Sequence, residues 1–297
     1  MSDTPPPSMH ASGENVEHAA EALDSAVPHG AEHGEDIGSI IMHHVTDGNT
    51  LEVPFLGEIH LPHLEVGGID LSITRYVVMM WLAGLILILL FSLAFRRRDR
   101  VPRGFANLLE MLVVFVRDEL AIKNIGKQGR AFVPYLLTTF FFILTCNLLG
   151  MVPFMATATG SISVTAGLAL LAFLMIQWGG IREHGLIGHL KPLVVPPGAP
   201  VWLLPLMIPI WTVVEIIGML AKPFALCVRL FANMTAGHIV ILSLFGLIFI
   251  MESYAIAPVS VAFALFISLL EILVAFIQAY IFTMLTSLFI GMTVHAH

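Results

Sequence analysis

Charged residues are what this sequence has least of. Only 12% of its 297 residues are Asp, Glu, Lys or Arg, against roughly 25% in soluble domains, and 57% are apolar. The apolar residues form long uniform runs instead of the short alternating segments of a β-barrel, so we predict an all-α polytopic membrane protein. The sequence shows no basic patch that would suggest binding to nucleic acid. The two cysteines lie in apolar runs and are typical of packing residues, not of a disulfide.

Lys and Arg are absent from residues 1–74, which contain thirteen acidic residues and eight of the thirteen histidines. We interpret 1–74 as an acidic, His-rich extracytoplasmic tail and 75–297 as the membrane domain. The start has no basic region followed by an apolar one, so no cleavable signal peptide is predicted. The histidine spacing is irregular, without HxxxH or HExxH, which favours a flexible tail over a metal site. The patch LEVPFLGEIHLPHLEV at 51–66 is predicted to add a short strand or hairpin.

The first apolar run, Tyr76 to Phe95, is long enough for one membrane span. The next segment, Arg96 to Arg130, has nine Lys or Arg against four acidic residues. The positive-inside rule therefore puts this segment in the cytoplasm and the acidic tail outside. Within it, residues 104–120 have an apolar face at helical spacing together with several charges. This predicts an amphipathic helix that lies on the membrane surface or against a partner, and not across the bilayer.

No charged residue occurs between Arg130 and Arg182. This length fits two spans, predicted at about 131–153 and 162–180, with PFMATATGSIS as the break between them. Residues 181–200, which contain several glycines and prolines, are predicted to be a cytoplasmic loop.

The last two apolar runs are too long for upright spans. The run from Pro205 to Ile250, at ~1.5 Å per residue, would reach roughly 69 Å, and the run at 258–293 roughly 54 Å, against a hydrocarbon core of ~30 Å. Pro223 could kink the first run, but no turn sequence lies there. We therefore predict five crossings, the last two steeply inclined, with the N-terminus outside. A hairpin would instead give six crossings.

Both long runs contain polar residues at helical spacing. Arg229 and Asn233 are four residues apart and share a face, and Glu271 and Gln278 are seven apart and share another. Ionised groups at bilayer depth cost at least ~2.5–3.5 kcal/mol on insertion scales, so they usually serve a pathway or a partner. His238 and Glu271 are predicted to pair, either as bundle packing or as functional groups.

Arg229 is the sharpest case, because a guanidinium stays protonated in proteins and so cannot lose its proton to avoid the cost of burial. The residues near it on the same segment offer no counter-ion, and Glu215 is ~20 Å away along the helix. Lys222, before Pro223, is interpreted as a snorkelling residue at a helix end. Asn147, in an earlier span, is predicted to make an interhelical hydrogen bond or to belong to a polar pathway.

Two separated motifs then resemble one family. KPFALCVRLFANMTAGH and LLEILVAFIQAYIFTMLT, at 269–286, are similar to the RLFxNMxAGH signature and the last helix of subunit a of the F-type ATP synthase. NLLGMVPF (147–154) and TAGLAL (165–170) fit as well. The resemblance covers roughly 75–295 and leaves out the tail.

This resemblance implies a stator subunit beside a rotating ring of proteolipid c subunits. Arg229 matches the arginine that faces the carboxylate of the c-ring, and Asn233 and Gln278 match polar residues near it. Glu215 matches an acidic residue on the cytoplasmic aqueous path, while His238 and Glu271 match positions on the opposite path. Some relatives have the acid and the imidazole exchanged between these last two positions.

Two positions depart from the pattern. Relatives can have Ser at position 225 and Asp at position 150, where this chain has Ala225 and Gly150, so neither is expected to handle protons. The implied mechanism has two offset half-channels. A proton enters near His238, neutralises a ring carboxylate, and leaves near Glu215 after rotation, while Arg229 separates the two paths.

The resemblance also implies the partners. These are the c-ring, b-type peripheral stalk subunits, the F1 sector through the complex, the lipid bilayer and the translocated H⁺. No cofactor or metal is expected, and the chain is not expected to be an enzyme by itself. A bacterial plasma membrane is favoured, because the acidic tail is unlike a transit peptide.

Three other functions would account for some of these features. A secondary transporter would use the same intramembrane charges as a substrate site, but the two halves of the membrane domain show no convincing repeat. An intramembrane hydrolase would need a Ser–His or HExxH arrangement, and neither is evident. A purely structural anchor would not need Glu215, Arg229 and Glu271.

Overall fold

The computed structural model describes residues 50–53, 57–60, 65–66, 69–70, 74–96, 104–152, 157–194, 204–250 and 257–295. The strands all lie in the first part of this set. Strand β1 (Thr50–Val53) pairs antiparallel with β2 (Gly57–His60), and β3 (Glu65–Val66) pairs with β4 (Ile69–Asp70). The hairpin predicted at 51–66 is therefore present. The predicted histidine tail otherwise lies outside the described residues.

The membrane domain is helical, as predicted. Within the described residues, five helices are long and apolar enough to cross a membrane. These five helices are α1 (Arg75–Ala94), α3 (Val133–Gly150), α4 (Ile162–Val194), α5 (Leu204–Ile250) and α6 (Ala257–Val294). A shorter helix, α2 (Phe105–Phe115), lies between α1 and α3 in the chain.

Helices α5 and α6 have 47 and 38 residues, so neither is a hairpin. Helix α5 continues through Pro209 and Pro223. Its apolar part, Met207–Leu247, has 41 residues and is ~61 Å long, about twice the ~30 Å hydrocarbon core. Such a helix stays within the apolar layer only when it is steeply inclined. The prediction of five crossings with two inclined helices is confirmed, and the six-crossing hairpin is wrong.

The predicted loop at 181–200 needs a correction, because α4 continues to Val194. Its two helical parts meet at Gly185, whose φ of 71° is a left-handed conformation that glycine adopts without a steric cost. The second part turns back, and His189 Nε2 lies 2.6 Å from Gln177 Oε1. The sequence pattern failed here because a loop was inferred from its glycines and prolines, while the segment still contains helix formers.

The surface segment runs from α2 through a π-helix (Val116–Ile122) and two short turns to Ala131. The Ser287 hydroxyl of α6 donates to the Leu120 carbonyl, and Asn124 Nδ2 donates to Ser287 Oγ at 3.3 Å. The predicted surface helix at 104–120 is thus present. It is held against α6 through backbone carbonyls that a regular helix would use internally.

The core lies where α3, α4, α5 and α6 meet. Large side chains fill it, and fully buried alanines let the helix backbones approach closely, as is usual for helices packed in membranes. The fully buried residues include Leu136, Phe140, Ile143, Ala172, Leu230, Ala275, Ala279, Phe282 and Ile290.

Candidate functional site

The acid and the imidazole predicted to pair do meet, across the interface of α5 and α6. His238 Nδ1 lies 3.2 Å from Glu271 Oε1. The Glu271 side chain is 7% exposed and that of His238 27% exposed, so the pair lies inside the bundle with the imidazole at its edge. Burial in an apolar bundle strengthens a charge-assisted hydrogen bond of this kind.

The other ring nitrogen of His238 also has polar neighbours. Nε2 lies 2.9 Å from the Gly150 carbonyl oxygen at the end of α3 and 2.7 Å from Thr157 Oγ1. A charged imidazole would donate from Nδ1 to the carboxylate and from Nε2 to the carbonyl. A neutral imidazole has a single N–H and would donate only one of these two hydrogen bonds. The site can therefore hold a proton on either Glu271 or His238.

Glycine makes this close approach of the helices possible. A Cβ at Gly237 would overlap the carboxylate of Glu271, and a Cβ at Gly150 would overlap the Thr157 side chain. Both positions lie beside the acid–imidazole pair and leave the space that its partners occupy.

Asn147 is fully buried and makes the predicted interhelical hydrogen bond. Its Nδ2 donates to the Ala275 carbonyl of α6 at 3.4 Å, and its Oδ1 accepts from Thr159 Oγ1 at 2.6 Å. Gln278, also buried, lies three residues after Ala275 on the same helix. Glu271, the Ala275 carbonyl that Asn147 contacts, and Gln278 thus lie within two turns of α6, and both side chains are buried.

Arg229 stands apart from these groups. It is exposed on α5, while its neighbours Leu226 and Leu230 are buried in the core. Its guanidinium makes no ion pair or hydrogen bond with any residue in the part of the chain that the structure describes. Val228 and Phe224 are exposed on the same helix. The cation is thus exposed on a helix whose exposed neighbours in sequence are apolar, and the described residues do not cover it.

The remaining predicted residues of α5 lie on either side of Arg229. Glu215 and Asn233 are both half-buried. Along the helix axis Arg229 is ~21 Å from Glu215 and ~14 Å from His238. The prediction for Lys222 was wrong. It lies inside α5 and not at its end, and its Nζ is 5.2 Å from the ring centroid of Phe289.

Sequence reasoning missed the neighbours of the pair, Thr157 and Gly150, and Thr159 beside Asn147. Thr157 and Thr159 belong to the stretch that was interpreted only as a break between spans, and Gly150 contributes its carbonyl. The signal that could have found the threonines is their position between two spans that also contain Asn147. A carbonyl contact has no sequence signal, because every residue has one.

Comparison with known proteins gives one consistent result. The family model described as ATP synthase A chain matches residues 77–291. The chain is 56% identical over 258 residues to "ATP synthase subunit a" of Chloroherpeton thalassium, covering 85% of this chain and 76% of the relative. It is 58% identical over 238 residues to that of Myxococcus xanthus, covering 79% and 77%. It is also 48% identical over 280 residues to "ATP synthase subunit a 2" of Chlorobaculum tepidum, covering 92% and 78%.

Proposed function

The chain belongs to the ATP synthase A chain family, and from this premise we propose which of its residues conduct protons and which residue separates the two proton paths. It is the proton-conducting stator subunit of a rotary ATP synthase. Two half-channels against the c-ring couple transmembrane proton flow to rotation and so to ATP synthesis. The chain is a multi-pass membrane subunit of the ATP synthase complex and catalyses no reaction alone.

The observation that carries the proposal is the contrast between two intramembrane charges. Glu271 has its partner, His238, within the chain, whereas Arg229 is exposed beside apolar side chains and has no counter-ion among the described residues. A permanent cation in an apolar layer needs compensation. We infer that the compensating group is a carboxylate of the c-ring that reaches Arg229 by rotation.

The half-channels follow from the order of the polar groups. A proton enters from outside at His238 and Glu271 and passes along α6 near Gln278 to the ring. Protonation removes the charge of the ring carboxylate, which can then rotate into lipid at a much lower cost. Its proton leaves through the cytoplasmic path near Glu215.

Arg229 separates these two paths. It attracts an ionised carboxylate but cannot pass on a proton at working pH. Asn233, one helical turn away, supports the carboxylate at this point. Asn147 holds α3 against α6 beside the entry path. Each proton that crosses supplies ~2.3 kcal/mol per 100 mV, so the path must not leak.

The finer assignments of place and partners belong to the same proposal. The c-ring contacts the open face of α5 and α6, and b-type stalk subunits connect the chain to the catalytic sector. The protein lies in a bacterial plasma membrane, with the acidic tail of residues 1–74 outside and the C-terminus in the cytoplasm, because the basic segment follows α1 directly.

The central test is Arg229→Ala in inverted membrane vesicles. We expect ATP-driven acidification to disappear, because without the cation a ring carboxylate is not drawn to release its proton. Arg229→Lys should also be strongly impaired, since lysine can deprotonate when buried and lacks the planar fork. Acidification at the wild-type rate in Arg229→Ala would overturn the proposal.

A matched control is available for this test. Arg117→Ala also removes one arginine, but Arg117 lies on the surface segment, exposed and paired with Asp118 at 2.7 Å. It should acidify the vesicles at the wild-type rate. Equal amounts of each variant in the membrane, measured by immunoblot, make the comparison quantitative.

A further inference from the structure

A basic cavity lies at the end of the bundle where α3 begins and α6 ends. Its volume is about 320 Å³, and its charged lining residues are Lys127, Arg130, Arg182 and Glu183. Three basic groups against one acidic group leave an excess of positive charge. None of these groups takes part in the proton path described above.

The basic side chains of this cavity have no ion-pair partner among the described residues. Lys127, Arg130 and Arg182 make no ion pair with any residue that the structure describes. The guanidinium of Arg182 instead lies 5.1 Å from the ring centroid of Trp178. That contact fixes the arginine at the cavity wall while its N–H groups stay available for an anion.

The cavity lies at the level of a membrane interface. Residues 131–181, between Arg130 and Arg182, contain no charged residue, so these two arginines mark the ends of the apolar spans of α3 and α4. Trp178 is exposed and packs edge-on against Phe132, with ring centroids 5.7 Å apart. Exposed tryptophans beside basic residues are typical of the headgroup layer.

We propose that this cavity binds the phosphate group of an anionic lipid headgroup. Arginine and lysine are the side chains that bind phosphate oxygens, and arginine can do so through two parallel N–H bonds. Basic pockets between transmembrane helices hold anionic headgroups in the same way. Because Arg130, Phe132, Arg182 and Val294 come from different elements, a bound lipid would join the ends of α3, α4 and α6.

The test is lipid binding to the purified full-length chain, measured by native mass spectrometry after delipidation. Phosphatidylglycerol is titrated against phosphatidylcholine. The wild type should bind phosphatidylglycerol tightly. The variant K127Q/R130Q should bind it about 25-fold more weakly, since each basic residue near a membrane contributes roughly fivefold. The charge-retaining variant K127R/R130K should bind it more tightly than K127Q/R130Q, because it keeps both positive charges.

The matched control is R117Q/K123Q, which also removes two positive charges. These residues are exposed, lie outside the cavity, and are paired with Asp118 and Glu119. Its affinity should equal that of the wild type. Equal loss in both double variants would overturn the proposal, because it would show a general charge effect. Equal affinity of K127Q/R130Q and the wild type would also overturn it.

A separate arm distinguishes the source of the phosphate. Inorganic phosphate is added to the wild-type complex with phosphatidylglycerol. Retention of the lipid supports a headgroup site. Displacement of the lipid by millimolar phosphate in the wild type, but not in K127Q/R130Q, would show that the cavity binds phosphate groups. It would assign the cavity to a soluble anion and overturn the lipid as its ligand.

Discussion

At the scale of single residues, the charged groups of the membrane domain fall into two kinds. His238 and Glu271 satisfy each other within the chain, and the Gly150 carbonyl completes the surroundings of the imidazole. Arg229 is not satisfied by any described residue. Groups of the first kind can hold a proton between them, because an imidazole and a carboxylate in hydrogen-bond contact can each bind one. A group of the second kind can only act on something that arrives from outside the chain.

The contact of His238 with Glu271 predicts that the two residues can exchange places. The double variant H238E/E271H keeps one acid and one imidazole across the same interface. We expect it to retain ATP-driven acidification at a substantial fraction of the wild-type rate. H238E alone places two carboxylates together and E271H alone places two imidazoles together, so each should lose at least tenfold.

Vesicle acidification measures all four combinations as a double-mutant cycle. A double variant no better than the worse single variant would contradict direct interaction of the two groups. Gln278→Leu, which removes a buried polar group on α6 and leaves the pair intact, shows whether the rest of the path is equally sensitive.

At the scale of elements, α6 organises the bundle. Its middle contains the buried Glu271 and Gln278. Its C-terminal part anchors the surface segment through Ser287 and Gly291. A Cβ at Gly291 would overlap the Asn124 carbonyl, which is backbone and cannot turn aside. The close contact therefore depends on a residue without a side chain.

Gly291→Ala should separate the surface segment from α6. We expect a loss of roughly 1–3 kcal/mol in stability, the usual cost of inserting a methyl group into a packed site. The measurement is the thermal unfolding midpoint of the purified chain in detergent. Gly167→Ala on α4, where a Cβ meets nothing within 4 Å, is the matched control and should unfold at or slightly above the wild-type temperature. An equal midpoint for both variants would contradict the anchoring role of Gly291.

At the scale of the whole molecule, α5 and α6 present a long apolar surface, on more than one side of each helix, that the other described helices do not cover. Exposed side chains along α5 and α6 include Ile217, Phe224, Val240, Phe263, Phe266 and Leu273. In water such a surface would mark an interface or an aggregation site. In a membrane it is free to contact lipid or another apolar helix, and Arg229 lies on it. Two long inclined helices extend this face beyond what upright spans would offer to a curved ring.

Five crossings and the positive-inside rule predict that the two ends of the chain lie on opposite sides of the membrane. Single cysteines at Ser39, Lys123 and Ala296 can be labelled with a membrane-impermeant maleimide. Ser39→Cys should react in intact cells, and Lys123→Cys and Ala296→Cys only after permeabilisation. The native Cys146 and Cys227 are buried and should give little background. Labelling of Ala296→Cys in intact cells would falsify the five-crossing orientation.

Local pattern determined much of this protein. The charge-free runs specified the number of helices, because a span in lipid must satisfy its backbone internally and bury about 20 apolar residues. The lengths of α5 and α6 predicted that both helices are inclined. The isolated charges indicated which residues are candidates for the functional site. The 181–194 segment was mispredicted because a glycine that joins two helices and a glycine that begins a loop are alike in sequence.

Tertiary structure decided what those residues contact. Sequence spacing suggested that His238 and Glu271 pair, but only the packing of α5 on α6 brings Nδ1 within 3.2 Å of the carboxylate. Only the fold shows that Gly150 and Thr157 meet the other ring nitrogen. The open position of Arg229 is likewise a property of the packed bundle. The physical reason is that helical periodicity fixes a side chain's face, whereas its partner depends on which helix covers that face.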